Sequence, residues 1–176
     1  MKDFFALTSK GFPLGLLVGV WLTAGFLSSC FASGQNQANN PRSPAAGKAD
    51  VTITLENIDS IAWTVTAVEG ADGVTEINAE DPVISLEVGK RYRFVNNGTL
   101  TVHPLAIRGE DGEPVVGQRP DDRPFELDPS VAFEADEEGI TFTLTEALAA
   151  VVSTYYCTAH PTPLMEGKLE VRGAPL

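Results

Sequence analysis

From Asp50 onward, apolar and polar residues alternate in short runs separated by turn-forming residues. Val51-Thr52-Ile53-Thr54-Leu55 alternates residue by residue. Arg91-Tyr92-Arg93-Phe94-Val95 does the same and ends at Asn96-Asn97-Gly98, a hairpin-turn signal. Longer runs lie at Ile61–Val68 and Leu100–Ile107, and shorter ones at Val83–Val88, Ile140–Leu144, Thr154–Cys157 and Leu169–Val171. A period of two places alternate side chains on opposite faces of a strand, so each run can bury one face. About eight such strands with regular turns predict an all-β, antiparallel sandwich. Only Glu146-Ala147-Leu148-Ala149-Ala150 reads as helical, giving one short helix, and no internal repeat is evident.

The pattern upstream is different. Gly11 to Phe26 is uncharged and apolar, preceded by Lys2 and Lys10 and followed by Leu27-Ser28-Ser29-Cys30. That arrangement predicts a signal peptide over residues 1–30 with a lipoprotein box, in which Cys30 is acylated and holds the protein at a membrane surface. Two other readings stay open: an ordinary secretory leader cleaved after Ala32, or an uncleaved membrane anchor. All three place the domain outside the cytoplasm, in the periplasm or at the cell surface. Residues 31–49 are rich in Asn, Gln, Ala, Ser, Gly and Pro and predict a flexible linker. A coil of this length reaches roughly 20–25 Å. Residues 50–176 form the predicted folded domain.

The chemistry is concentrated near the end of the chain. Cys157, His160 and Met165 follow a C-x2-H-x4-M spacing, and His103 lies upstream. Taken singly, each has an ordinary explanation: a Cys or Met fills a core, and a His is a satisfied polar group. Taken together they are more informative, because the chain holds two His, two Cys and two Met. Apart from the initiator Met1 and the leader's Cys30, every one falls in this constellation. A thiolate, two imidazoles and a thioether make the ligand set of a mononuclear copper electron-transfer site. One Cys beyond the leader makes neither an intrachain disulfide nor a Cys-rich zinc site.

The segment from Tyr155-Tyr156-Cys157 to Met165-Glu166-Gly167-Lys168-Leu169-Glu170-Val171 resembles the closing strands and ligand loop of plastocyanin and pseudoazurin. Val95-Asn96-Asn97-Gly98 followed by His103 resembles the segment that carries the family's first His ligand. The resemblance runs from Asp50 to Val171 and is sharpest around the ligands. It implies a Greek-key, cupredoxin-like sandwich with His103, Cys157, His160 and Met165 as ligands of one copper ion. It further implies a monomeric electron carrier, not an enzyme, whose partners are redox proteins such as a cationic cytochrome or a membrane complex. The edge of His160, rimmed by Pro161, Thr162, Pro163 and Leu164, would be the electron port. Tyr156 either lies near a second route or is a packing aromatic. One departure stands at Pro104, where the family usually has Asn. Proline has no N–H to donate, so the tie between the ligand loops is expected at Asn97, Thr99 or Thr101.

Charge narrows the picture further. Twelve basic against 24 acidic residues give a net −12, which argues against nucleic-acid binding. Acid is densest from Glu110 to Glu138. That stretch reads either as a docking patch for a positively charged partner or as a solvated surface loop. Both His are used as ligands, leaving no imidazole as a general base. Two alternative functions share the same residues: a copper-binding or copper-delivery lipoprotein without redox traffic, and a surface sandwich whose metal site is vestigial.

Overall fold

In the computed structural model, residues 47–160 and 163–173 are described. The leader, Cys30 and most of the linker lie outside the described residues, as do Pro161 and Thr162. No helix among the described residues is long and apolar enough to cross a membrane.

The alternating runs become strands. In chain order these are β1 (Val51–Ile58), β2 (Ala62–Glu69), β3 (Ile84–Glu87), β4 (Arg91–Asn96), β5 (Leu105–Gly109), β6 (Pro114–Gly117), β7 (Glu134–Asp136), β8 (Gly139–Thr143), β9 (Val152–Cys157) and β10 (Glu166–Arg172). Two one-turn helices interrupt them, α1 (Pro124–Leu127) and α2 (Glu146–Ala149). The helix α2 falls where the sequence predicts it, its first turn capped by the Thr145 side chain accepting from the Leu148 N–H. The helix α1 is an addition, started by a proline whose missing N–H costs nothing at a first helical position.

The strands form two five-stranded sheets, ordered β2-β1-β4-β8-β7 and β3-β10-β9-β5-β6. The result is the all-β sandwich expected. Each sheet also contains one parallel pair, β1 with β4 and β3 with β10. Val51, Ile53 and Leu55 of β1 point inward, as do Tyr92 and Phe94 of β4. Phe142 stacks on Phe94 with ring centroids 5.7 Å apart and lies 6.0 Å from Tyr92. Trp63, Tyr155, Ile107 and Leu105 complete the same core.

Two local expectations are corrected. Asn96-Asn97-Gly98 does turn the chain, but β4 and β5 belong to different sheets, so the turn starts a crossover rather than a hairpin. The run Leu100–Ile107 is also not one strand, because β5 begins only at Leu105. His103 lies just before it, in a turn where the His103 and Val102 N–H groups both reach the Thr99 carbonyl, at 2.9 and 3.3 Å. Pro104 supplies no N–H for a sheet ladder, which sets the boundary.

Candidate metal centre

Three of the four candidate ligand positions meet at one end of the second sheet. Strands β5 and β9 are antiparallel with Leu105 opposite Cys157, so the start of β5 lies beside the end of β9. Strand β10 is antiparallel to β9 and begins beside the same end. His103 therefore precedes β5, Cys157 ends β9, and Met165 immediately precedes β10.

Cys157 is fully buried and unpaired. Its Sγ lies 3.2 Å from His160 Nδ1 and 3.9 Å from His103 Nδ1. The two imidazoles are nearly parallel, with centroids 4.8 Å apart and planes at 25°. The ligand atoms of His103, Cys157 and His160 all lie within 4.8 Å of one another and can hold a metal ion. No carboxylate joins them, and no second such group occurs among the described residues.

The spacing fits a single ion. With metal–nitrogen and metal–sulfur bonds of about 2.0 and 2.3 Å, as for zinc on the same ligand types, the nitrogen and sulfur should be roughly 3.5–3.8 Å apart. The two observed separations bracket that range. The donor set, one sulfur and two imidazole nitrogens, suits copper in either oxidation state.

Burial pushes the Cys157 thiol's pKa up, and the backbone N–H groups of Ala159 and His160 and the charge of Arg119 pull it down. Burial and then the neighbouring His160 lower the pKa of His103, favouring the neutral imidazole that a metal needs. A bound cation would add its own charge to the sulfur's side of that balance and keep it as thiolate.

Met165 is fully buried, and its backbone closes the ligand loop. Its carbonyl accepts from the Cys157 N–H at 3.1 Å, and its own N–H donates to the Ile61 carbonyl at 2.9 Å. Both bonds hold at a left-handed φ of 52°, which a side-chain-bearing residue adopts only at some cost. The loop from Cys157 to Met165 is thus pinned at its base to β2's approach.

The first-His segment is held by groups the sequence did not single out. Asn96 Nδ2 donates to the His103 carbonyl at 2.7 Å and to Gln118 Oε1 at 2.6 Å, and Asn96 Oδ1 accepts from the Gly98 N–H at 2.8 Å. The Pro104 carbonyl accepts from the Thr158 N–H at 2.9 Å, joining the two ligand segments directly. None of the three candidates makes this tie: the Thr99 carbonyl accepts only from the Val102 and His103 N–H groups of its own turn. The Asn97 side chain instead reaches Glu56 on the surface. Asn96 could have been read from its place in the Asn-Asn-Gly turn. Gln118, an isolated glutamine after a short strand, carried no signal. Trp63 meets His103 edge to face, with centroids 6.2 Å apart.

His160 is partly exposed. Three of the structure's exposed large apolar side chains belong to segments at this end: Ile61, Val102 and Leu164, exposed by 55, 54 and 43 %. Tyr156 faces away from Cys157, as strand alternation requires. It is covered by the Arg108 guanidinium, 4.6 Å from its ring centroid. Arg108 in turn pairs with Glu166 and bonds Thr154. The acidic stretch is only partly a solvated surface. Glu126 pairs with Arg123 and accepts from the Gly117 and Asp121 N–H groups, while Glu134 and Asp136 pair with Arg91 and Arg93.

Comparisons with models of known families, with curated proteins and with solved structures find no match to this chain.

Proposed function

We propose that this protein is a single-copper electron carrier, a plastocyanin-like cupredoxin. The observation that carries the proposal is a buried Cys157 sulfur facing two imidazole Nδ1 atoms at 3.2 and 3.9 Å, with no carboxylate in the cluster among the described residues. When bound, copper supplies a one-electron change between its two oxidation states. Everything else belongs to the chain. His103, Cys157 and His160 would supply three ligands, and the buried sulfur of Met165 would supply a weaker fourth. Backbone bonds at Met165 and Thr158 and the Asn96 side-chain bond to the His103 carbonyl brace those positions, and a braced site suits rapid electron exchange.

The carrier is proposed to work outside the cytoplasm, held at a membrane through acylated Cys30 and freed to reach partners by the 31–49 linker. Its partners would be redox proteins, with the partly exposed edge of His160 as the port and Ile61, Val102 and Leu164 as its apolar rim. The carboxylates of the 110–138 stretch that make no ion pair, Glu110 and Glu113 among them, would steer a cationic partner.

Reversible voltammetry of the copper-loaded full chain tests the proposal. One reversible one-electron wave is expected. Copper that binds but cannot be cycled without leaving would make the protein a copper store instead.

Two substitutions probe the parts. Met165→Leu is expected to retain copper and raise the reduction potential, because losing a weak axial sulfur disfavours the oxidised ion. An unchanged potential would remove Met165 from the ligand set. Leu164→Glu is expected to leave the absorption spectrum intact and slow electron transfer to the natural partner, since an unpaired carboxylate must be desolvated in the contact. High salt should not restore the rate fully. A normal rate would move the port away from His160.

A further inference from the structure

We infer that Gln118 is a positioning residue for His103, an inference that rests on the copper-site reading above. Gln118 lies immediately after β6 and is 3 % exposed. A glutamine side chain offers two acceptor lone pairs and two donor hydrogens, and here all four are used. Its Oε1 accepts from Asn96 Nδ2 at 2.6 Å and from the Leu105 N–H at 3.2 Å. Its Nε2 donates to the carbonyls of Asp136 and Glu137 at 3.2 and 3.1 Å. Its backbone N–H also donates to the Leu105 carbonyl at 2.8 Å.

These bonds form a chain that ends on the ligand. Asn96 Nδ2 is shared between Gln118 and the His103 carbonyl, so Gln118 sets the orientation in which Asn96 can hold His103. Leu105, two residues past His103, is bonded to Gln118 through both its N–H and its carbonyl. Between them, Pro104 has no donor of its own. On the far side, the chain is anchored to the turn between β7 and β8, and Asp136 there is paired with Arg93 of β4. The first-His segment is thereby braced across the sandwich to the other sheet. A residue that only filled this space would be apolar. A buried amide with every group satisfied is costly to disrupt and specifies one geometry.

The test uses the full chain. Gln118→Met keeps the size and removes all four side-chain bonds. Copper affinity is expected to fall roughly ten- to a hundred-fold, the usual effect of losing a group that orients a ligand, with a displaced visible band. In the metal-free protein the Leu105 amide should exchange faster with solvent. Asn96→Ala should act in the same direction, and the double variant should be no worse than the more severe single, because both cut one chain. If Gln118→Met does not fold, Gln118→Leu, which removes the same four side-chain bonds with a smaller apolar side chain, carries the same expectation. Native affinity and spectrum in Gln118→Met, or fully additive losses in the double variant, would overturn the inference. If the parent protein took up no copper, the functional reading would fail by itself. The Leu105 exchange rate would still decide this point: faster exchange in Gln118→Met supports the tie, and unchanged exchange overturns it.

Discussion

Cys157→Ser is expected to strip the copper-loaded protein of its intense visible absorption and to leave at most weak copper binding. The reason lies in the donor. A thiolate gives electron density to copper readily and is the origin of the charge-transfer band, whereas a serine hydroxyl stays protonated near neutral pH and is a poor ligand for a soft ion. The fold should tolerate the change, because the new side chain is no larger and the two imidazoles offer it hydrogen-bond partners. Circular dichroism and the thermal midpoint should therefore stay close to the parent's while the colour disappears. A Cys157→Ser variant that kept the band would remove Cys157 from the site.

Gly167→Ala is expected to destabilise the domain by about 3 kcal/mol or more, at or above the upper end of ordinary overpacking costs. Gly167 of β10 lies opposite Tyr155 of β9. A Cβ there would overlap both Cζ and Oη of that tyrosine, far inside van der Waals contact. The ring cannot move aside: it is fully buried, and its hydroxyl donates to the Pro82 carbonyl at 2.7 Å. The glycine is thus required by a close approach beneath a buried aromatic, two residues from Met165. Denaturant unfolding measures the cost. Combining the change with Tyr155→Leu should recover much of it, since the obstacle is then gone. Additive losses in the double variant would show that the glycine is needed for another reason.

The parts of this fold that were legible in the sequence are those with an apolar face to bury. β1, β2, β4 and β8 alternate because one side of each meets the core, and their positions follow directly. β7 left no such trace. Glu134–Asp136 is a three-residue edge strand, with two of its three side chains exposed and its charges facing arginines. β6 starts at a proline and ends at a glycine, residues that ordinarily mark turns. The apolar run around His103 misled in the opposite direction. Its outer residue Val102 is exposed, and its backbone bonds belong to a turn. Parallel neighbours such as β1 and β4 were also hidden, because pairing between distant segments leaves no mark on local periodicity.

The site divides in the same way. Cys157 and His160 were recognisable from spacing and His103 from the scarcity of histidine, and the structure brings these three together. The hydrogen bonds that hold them were not recognisable. Asn96, Gln118, the Thr158 N–H and the Pro104 carbonyl come from four segments, and only folding makes them neighbours. A ligand set can be written in a motif because it depends on residue type. Its bracing depends on geometry, and many residue types at many positions could provide it.

The measurement that bears most directly on the central claim is the visible absorption spectrum of the purified full chain, loaded with one equivalent of copper and oxidised. A thiolate at Cys157, held beside two imidazoles in a braced site, predicts an intense blue or green charge-transfer band that bleaches on reduction and returns on reoxidation. A colourless protein, or one showing only the weak absorption of copper bound to nitrogen and oxygen, would contradict the account.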